Sequence, residues 1–291
     1  MNKEFLDLAE QLKSSVSCTV RLNELMSGHT SFKIGGPADI LVLPESIEQL
    51  REVLKVVKET VVPLTLLGNG SNVLVRDKGI RGIVIKLGNM LRHFYEAEDL
   101  LVFGSGYSLA LASYKAMECG KTGMEFAVGI PGSIGGAVYM NAGAYDGEMQ
   151  NIVNCVKVMD LQGNERVLTA EELNFGYRKT SLQNSGLIVT EVTLKMPSGN
   201  KDEIKSKMDD FSHRRISKQP LEMPSAGSMF KRPPGYFAGT LIDQAGLKGY
   251  TVGGAQISTK HAGFVVNVGG ATAADVLQLI KDVQTKIKAG V

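Results

Sequence analysis

The most informative segment of this sequence is GIPGSIGGAVYMNAGAY, residues 129–145. It contains five glycines and one proline, and no charged residue occurs between Glu125 and Asp146. Glycine is unfavourable in regular elements, so a stretch this rich in it requires positive-φ turns or backbone pressed closely against another group. Flexible linkers instead carry Ser, Lys, Glu or Pro. The segment predicts a buried backbone surface against a large planar or phosphorylated ligand. The alternative is a tight core turn packed with glycine. It accounts for two or three of the glycines better than it accounts for all five.

Length and composition indicate a globular protein of ordinary make-up. The 291 residues are enough to bury a full core and to divide into two domains. Hydrophobic residues make up 43%, charged residues 21%, and the net charge is +2, which predicts neither a nucleic acid nor an anionic membrane as partner. Charges throughout residues 1–15 indicate an amphipathic helix rather than a signal peptide, and no apolar run approaches a membrane span. We therefore expect a cytoplasmic protein.

Cysteine and histidine spacing gives no sign of a metal site or a disulfide framework. The cysteines are far apart, form no CxxC pair and are odd in number, which is typical of thiols in a reducing compartment. Neither an HExxH motif nor a Cys/His cluster occurs. The residues concerned are Cys18, Cys119, Cys155, His29, His93, His213 and His261. We expect no structural metal.

Hydrophobic periodicity predicts an irregular mixture of strands and helices. The predicted strands cover residues 38–43, 63–67, 73–75, 82–87, 101–103, 152–161, 166–169, 187–196, 251–257 and 263–268. Helices are predicted at the N-terminus, after Ser46, after Ser108, through 204–211 and from Thr272. Because these elements do not alternate as in βαβ units, we predict the α+β class. The PSGN segment at 197–200 predicts a boundary between domains 1–197 and 198–291.

Two further glycine-containing loops adjoin predicted strands. The first is GNGSN, which consists of Gly68, Asn69, Gly70, Ser71 and Asn72. Its backbone N–H groups can form a nest for phosphate, but it is neither a Walker loop nor a Rossmann fingerprint, because VLVRDKG after it is predicted as strand. An ordinary turn between strands is equally compatible. The second, SFKIGGPAD at 31–39, is either a turn that launches a strand or a loop that lines the ligand cleft.

Three segments place basic residues beside small polar ones. In FGYRKTS, residues 175–181, Arg178 either clamps a carboxylate or phosphate or makes a surface salt bridge. In PSAGSMFKRPPG, residues 224–235, a serine on a glycine-bounded turn near Lys231 suits a nucleophile or proton donor, although the G-x-S-x-G elbow is absent. In HRRISKQP, residues 213–220, the clustered cations suit a diphosphate or form a solvated helix end.

Taken together, these segments resemble one enzyme family closely. SFKIGGPAD, LLGNGSNVLVRD, GMEFAVGIPGSIGGAVYMNAGAY, YRKTS and SAGSMFKRP occur in the order found in UDP-N-acetylenolpyruvoylglucosamine reductases, which are bacterial cell-wall enzymes. The similarity runs from about Thr30 to the end of the sequence. It implies a flavin-binding domain of the vanillyl-alcohol-oxidase (PCMH) type, in two α+β subdomains that hold FAD noncovalently, followed by a smaller α+β substrate-binding domain. The short bridge between Arg178 and Ser228 resembles the family's type II members.

The resemblance also implies a reaction and roles for individual residues. NADPH would reduce FAD, and hydride would then pass to the enolpyruvyl group of UDP-N-acetylglucosamine-enolpyruvate, giving UDP-N-acetylmuramate. By motif, Arg178 would hold the substrate carboxylate and Ser228 would deliver the proton. We infer separately, and not from the motif, that Lys231 is a substrate-binding residue that assists Ser228. Arg215 and Lys218 match basic positions near the nucleotide and its phosphates. FAD contacts are implied for Gly68, Asn69, Gly70, Ser71, Asn72, Gly129, Ile130, Pro131, Gly132, Ser133, Gly135 and Gly136.

One feature of the family has no counterpart in this sequence. Its catalytic glutamate lies in a segment resembling LEPEV, just beyond the position matched by Gly290-Val291. Because the other motifs are intact and the last predicted helix stops in mid-pattern, we expect that glutamate in a continuation of the chain. A protein that ended at Val291 would bind FAD but turn over poorly.

Two other functions are compatible with the same scaffold. A sugar or alcohol oxidase would often attach FAD covalently through a histidine, and no histidine lies in either glycine-rich loop. A non-catalytic FAD-bearing subunit that docks an iron–sulfur partner would leave the serine and cations of SAGSMFKRP without a role. The residues therefore favour the reductase.

Overall fold

The helices and strands follow from a computed structural model, which describes residues 3–88 and 90–290. The helices are α1 (Lys3–Ser15), α2 (Ile47–Lys58), α3 (Leu109–Glu118), α4 (Ile134–Tyr139), α5 (Lys201–Lys218), α6 (Ala238–Gln244) and α7 (Ala273–Gly290). The strands are β1 (Thr19–Leu25), β2 (Pro37–Leu43), β3 (Leu64–Leu67), β4 (Ile80–Lys86), β5 (Phe94–Ala97), β6 (Leu100–Gly104), β7 (Gly143–Ala144), β8 (Gly147–Glu148), β9 (Val153–Met159), β10 (Glu165–Thr169), β11 (Ile188–Lys195), β12 (Ser225–Ser228), β13 (Thr251–Val252), β14 (Ala255–Ile257) and β15 (Phe264–Asn267).

Capping side chains set where three of the helices begin. Ser46 Oγ accepts a hydrogen bond from the Gln49 N–H (3.2 Å) at the start of α2, and Ser108 caps α3 in the same way. Before α7, Thr272 Oγ1 accepts from the Asp275 N–H (3.1 Å), while Asp275 Oδ2 accepts from the Thr272 N–H (2.9 Å). These bonds satisfy backbone donors that the first helical turn cannot. The three helix starts predicted from the sequence are confirmed.

Four β-sheets form in the described residues. One has the order β1-β2-β4-β3, with β3 and β4 parallel. A five-stranded antiparallel sheet has the order β10-β9-β11-β6-β5, and a four-stranded antiparallel one has the order β12-β15-β14-β13. The last is the ribbon β7-β8. The predicted hairpin of β9 and β10 is confirmed, with Met159 opposite Glu165.

The chain divides into two compact units, of which unit 1 is the larger. It comprises Met1–Leu22, Ile40–Asn69 and Gly82–His213. One core of unit 1 packs α3 and α4 on the five-stranded sheet, with Phe103, Ile134 and Val192 fully buried. A second core packs α1 and α2 through the fully buried side chains Leu12 and Leu50. The apolar stripes predicted for α1 and α2 therefore face a core.

Unit 2 comprises Asn23–Asp39, Gly70–Arg81 and Arg214–Val291. Its core packs α6 and α7 with the sheet of β12 to β15, and Val265 and Leu279 are fully buried there. Asp77 holds the start of α7, since its Oδ1 accepts from the Ala273 N–H (2.7 Å) and its Oδ2 from the Ala274 N–H (2.9 Å). Both carboxylate oxygens are thus used to satisfy first-turn N–H groups.

Three local predictions were wrong. Residues 73–75 pair with no strand, and Val75 packs closely against Gly35, where a Cβ would lie 2.8 Å from the Val75 Cβ. Residues 251–257 form two strands, separated by a Gly253-Gly254 hairpin turn that is itself a known sequence signal. Helix α4 lies inside the glycine-rich segment, where no helix was predicted.

Two features are absent from the part of the chain that the structure describes. None of its helices has the length and apolar character needed to cross a bilayer. No group of three or more His, Cys, Asp or Glu side chains in these residues is arranged to hold a metal ion.

Candidate active site

The glycine-rich segment folds as a tight turn followed by the short helix α4. Gly129 and Gly132 have φ of 71° and 135°, values that residues with a side chain rarely adopt. The Leu109 N–H donates to Gly132 O (3.1 Å), which fixes the turn. Ser133 Oγ then accepts from the Gly136 N–H (3.3 Å) and caps α4. Glycine is thus required at two positions by the backbone itself.

Two other glycines of the segment are required by packing inside the protein. A Cβ on Gly135 would lie 2.7 Å from the Cβ of Ser105, to whose carbonyl the Gly135 N–H donates (2.9 Å). A Cβ on Gly143 would lie 2.6 Å from O of Gly147. The core-turn alternative therefore explains these two positions. A ligand would have to bind the backbone N–H groups of the segment that make no hydrogen bond within the described part of the protein.

Unbonded backbone donors lie where the two glycine loops of unit 1 meet. A Cβ on Gly68 would lie 3.2 Å from Ser133 Oγ, which places the loop ends in contact. Within residues 3–88 and 90–290, the N–H groups of Gly68, Asn69, Gly132 and Ser133 make no hydrogen bond. Clustered backbone N–H groups without an acceptor in the protein can bind phosphate. This donor set fits a diphosphate.

The rest of the GNGSN loop belongs to unit 2 and is fixed by its neighbours there. Gly70 has φ of 69°, its carbonyl accepts from the Ser31 N–H (3.1 Å), and a Cβ on it would lie 2.2 Å from His29 O. Ser71 is half-buried and Asn72 is exposed. Close backbone approach therefore accounts for glycine at position 70.

Arg178 is held by main-chain carbonyls. It lies in a tight turn closed by the Gly176 N–H donating to Lys179 O (2.9 Å), and its φ is 56°. Its Nη1 donates to Asn141 O (3.1 Å) and its Nη2 to Gly143 O (2.9 Å). Because both partners are carbonyl oxygens, the surface salt bridge considered for this residue is wrong. Carbonyl groups of unit 1 thus orient the guanidinium.

Asn141 is a residue that the sequence does not single out. It is fully buried, and its Nδ2 lies 3.1 Å from O of Gly176, in the turn that carries Arg178. An asparagine in a glycine-rich stretch carries no signal of its own, because Asn is common in turns. Only the fold brings residues 141 and 176 together.

A β-bulge presents Ser228 at the end of β12. The pairing of β12 with β15 slips by one residue between Ser225 and Ser228. Gly227 has φ of 79°, the conformation for which bulges often use glycine. Ser228 is exposed, and its Oγ donates a long hydrogen bond of 3.4 Å to Gly263 O. Bulges are common beside active sites because they re-aim a side chain.

His261 is a second residue that the sequence did not mark as functional. Its Nδ1 accepts from the N–H of Gly263 (3.0 Å), the same residue whose carbonyl accepts from Ser228. A neutral ring that accepts at Nδ1 carries its proton on Nε2. Burial lowers the pKa of His261, so the ring is neutral near neutral pH. A neutral imidazole therefore lies beside the serine.

The three cations predicted to bind substrate lie in different surroundings within unit 2. Arg215 is 6% exposed and its Nη1 donates to Gln219 Oε1 (3.2 Å), so it is not part of a solvated helix end. Lys218 is exposed. Burial of the ring is the main cause that lowers the pKa of His261, and the charge of Lys218 lowers it further. Lys231 lines a groove of about 270 Å³ beside α7. Lys218 is therefore on the His261 side, and Lys231 is near the last helix.

Two family models match the chain. The model for an FAD binding domain matches residues 38–169, and the model for the C-terminal domain of UDP-N-acetylenolpyruvoylglucosamine reductase matches residues 219–291. Both glycine loops lie in the first match. Ser228 and Lys231 lie in the second. Arg178, Arg215 and Lys218 lie between the two.

Curated relatives are similar along nearly the whole chain. The UDP-N-acetylenolpyruvoylglucosamine reductase of Clostridium perfringens (strain SM101 / Type A) is 50% identical over 285 residues, covering 98% of this chain and 93% of the relative. The reductase of Clostridioides difficile (strain 630) is 49% identical over 270 residues, covering 93% of this chain and 89% of the relative.

Solved structures share the fold. The reductase of the same name from Thermus caldophilus superposes with a TM-score of 0.79 at 40% identity, covering 92% of this chain and 94% of that one. A variant of berberine bridge enzyme superposes with a TM-score of 0.50 at 15% identity, covering 67% of this chain and 44% of that one. The second likeness concerns the fold alone. The predicted α+β class of the vanillyl-alcohol-oxidase type is confirmed, and the chain belongs to the UDP-N-acetylenolpyruvoylglucosamine reductase family.

Proposed function

We propose that this chain uses NADPH and noncovalently bound FAD to reduce the enolpyruvyl group of UDP-N-acetylglucosamine-enolpyruvate. The product is UDP-N-acetylmuramate, a precursor of peptidoglycan. The observation that carries the proposal is the 50% identity to the Clostridium perfringens reductase over 98% of the chain. Local geometry supports the roles proposed below for the donor cluster of unit 1, Arg178 and Ser228.

FAD fits the donor cluster of unit 1. The unbonded N–H groups of Gly68, Asn69, Gly132 and Ser133 would bind its diphosphate, and the rest of residues 68–72 and 129–136 would line it. When bound, FAD supplies the carrier that moves hydride from NADPH to the substrate. No histidine occurs in either loop, which agrees with noncovalent binding.

Arg178 would bind the substrate carboxylate and stabilise the charge that develops beside it. Its two carbonyl bonds use two of the five N–H donors of a guanidinium, and within the described residues the other three make no protein bond. Those donors suit a bidentate carboxylate. A pre-oriented cation stabilises developing charge without reorganising during the reaction.

Ser228 would donate the proton that completes the reduction. Its hydrogen bond to Gly263 O is long, so the hydroxyl can turn to a substrate at little cost. A serine is a poor acid near neutral pH, so cations have to assist it, and we assign Lys231 to that role. Arg215 and Lys218 would bind the nucleotide and its phosphates.

The proposal extends to the organisation and setting of the protein. We assign FAD binding to residues 1–197 and substrate binding to residues 198–291, a division that stays a prediction. A cytoplasmic location is also proposed on the free cysteines, and the lack of a nucleic-acid partner on the net charge of +2.

The test is a comparison of the two half-reactions in Ser228→Ala. We expect NADPH to abolish the flavin absorbance of the purified variant at the wild-type rate. The return of that absorbance on adding the enolpyruvyl substrate should slow by roughly 10²–10⁴-fold, the usual cost of removing a proton-transfer group. Stopped-flow absorbance under anaerobic conditions measures both rates.

Ser225→Ala is the matched control, because Ser225 lies in the same strand and engages Ser31 through its carbonyl, which the substitution keeps. It should leave both rates near wild type. Equal slowing of both half-reactions in Ser228→Ala would contradict the proton-donor role. Wild-type protein without flavin, or without substrate-driven recovery, would contradict the function itself.

A further inference from the structure

We propose that Asn141 is the positioning residue of Arg178, fixing both the turn that carries the arginine and the carbonyl that orients its guanidinium. This inference rests on the role proposed for Arg178 above. It concerns only residues of unit 1, and every contact that supports it lies within that unit.

Asn141 is buried in a polar cluster that uses both ends of its amide. Its side chain is fully buried. Nδ2 lies 3.1 Å from Gly176 O, 3.1 Å from Glu148 Oε2 and 3.4 Å from Gln150 Oε1. Oδ1 accepts from the Gln150 N–H (3.0 Å). A buried amide with its donors and acceptor satisfied has one defined orientation, because any rotation leaves a buried polar group unpaired.

The turn that Asn141 holds is strained at Arg178. Gly176 and Lys179 exchange hydrogen bonds of 2.9 and 3.1 Å, so Tyr177 and Arg178 are the central residues of a four-residue turn. Arg178 has φ of 56° at the position where such turns favour glycine. A side chain persists in this conformation only when its surroundings enforce it. The bond from Asn141 Nδ2 to Gly176 O anchors the first residue of the turn, and Gln183 Nε2 donates to Arg178 O (3.1 Å).

The same asparagine also orients the far end of the arginine. Asn141 has φ of 42°, which turns its own carbonyl toward Arg178 Nη1 (3.1 Å). Gly143 O receives Nη2 (2.9 Å) from the same short stretch of chain. Residues 141–143 therefore hold both the backbone and the guanidinium of Arg178 in place. A shift of Asn141 would move the positive charge that the reaction requires.

Asparagine is the side chain that meets all these demands. It tolerates the left-handed conformation better than other residues with a Cβ, and its amide both donates and accepts. Aspartate would keep the acceptor for the Gln150 N–H but would lose the donors and place a second carboxylate beside Glu148. Glycine would keep the backbone conformation and the carbonyl but would remove the anchor on Gly176.

The first experiment compares Asn141→Gly with Asn174→Gly in the FAD-loaded protein. Asn174 is a matched control, since its φ of 43° is nearly the same, it lies in the loop that leads to Arg178, and it is exposed. Its side chain makes no hydrogen bond within residues 3–88 and 90–290. We expect Asn141→Gly to slow the substrate half-reaction by roughly 10–100-fold, the scale expected of a misplacement near 1 Å. Flavin content and the NADPH half-reaction should stay near wild type in both variants.

A double-mutant cycle separates positioning from a general structural defect. If Asn141 acts through Arg178, then adding Asn141→Gly to Arg178→Ala should cost less than threefold further in the substrate half-reaction. Multiplying effects would overturn the proposal, as would Asn141→Gly with wild-type rates. Asn141→Asp supplies a second variant should the glycine variant fail to retain flavin, with the same expected non-additivity. A wild-type protein that never recovers flavin absorbance with substrate would instead sink the proposed function.

Discussion

His261 shows how the fold gives one residue a property that its sequence context does not. Burial is the first cause of its lowered pKa, and the charge of Lys248 and then of Lys218 acts in the same direction, against the opposing effects of its backbone hydrogen bond and Asp243. The ring accepts from the N–H of Gly263, the residue whose carbonyl accepts from Ser228. A proton on His261 would therefore be unfavourable in the folded state.

This residue predicts a pH dependence of stability. The unfolded chain binds a proton on His261 near the ordinary pKa, whereas the folded state resists it. The contribution of the neutral ring to the free energy of unfolding is therefore complete above that pKa and is lost as the pH falls through the lower folded value. The free energy of unfolding should fall more steeply in wild type than in His261→Asn between about pH 7 and about pH 5. The asparagine side-chain oxygen keeps an acceptor for the Gly263 N–H, two residues further along the chain. Urea unfolding at several pH values measures this, and parallel curves for the two proteins would contradict it.

Helix α4 shows that neighbouring glycines in one element serve different purposes. Gly135 faces Ser105, where a Cβ would lie 2.7 Å from the Ser105 Cβ and 3.1 Å from its carbonyl oxygen. Gly136 is exposed, and the nearest group to a Cβ on it would be Ser133 Oγ at 3.3 Å. Both look alike in the sequence, because the helix has too few residues to show a period.

Alanine at each of these two positions should therefore have a different result. Gly135→Ala overpacks against backbone and should cost about 1–3 kcal/mol of unfolding free energy. Gly136→Ala should be within about 1 kcal/mol of wild type, since alanine favours the helix and the neighbour is a hydroxyl that can shift. Chemical denaturation of both variants measures the difference. Equal losses at the two positions would mean that Gly135 is not set by its contact with Ser105.

At the scale of the whole molecule, the cofactor is expected to contribute to stability. Bound FAD would satisfy N–H groups of Gly68, Asn69, Gly132 and Ser133 that have no protein partner in the described residues. A ligand that binds only the folded state stabilises it by mass action, by about 2.7 kcal/mol at 100 times its Kd. The flavin-free protein should therefore unfold at a lower temperature.

Thermal unfolding with and without added FAD measures this contribution. The midpoint should rise with FAD concentration, and FMN at the same concentration should raise it less, because FMN lacks the diphosphate that the donor cluster suits. Equal shifts with FMN and FAD would contradict the assignment of the cluster to the diphosphate. No shift with either would contradict flavin binding by this chain.

The sequence by itself determined those features of the protein that depend on interactions between neighbouring residues. The caps at Ser46, Ser108 and Thr272 and the hairpin of β9 and β10 could be read from neighbouring residues, because capping and turn formation act within a few positions. The motifs also sufficed to identify the family, since their order and residue types are specific jointly. The strand expected at 73–75 did not form, and Val75 packs there against Gly35, which is distant in sequence.

Only the tertiary structure decided what the individual site residues contact. Asn141 meets Gly176 across 35 positions of sequence, and Ser228 meets Gly263 across another 35. The glycines at 68, 70 and 135 are set by neighbours far along the chain, at Ser133, His29 and Ser105. Hydrogen bonds and close packing join whichever groups the fold brings within about 3 Å of each other, and sequence spacing does not record that distance.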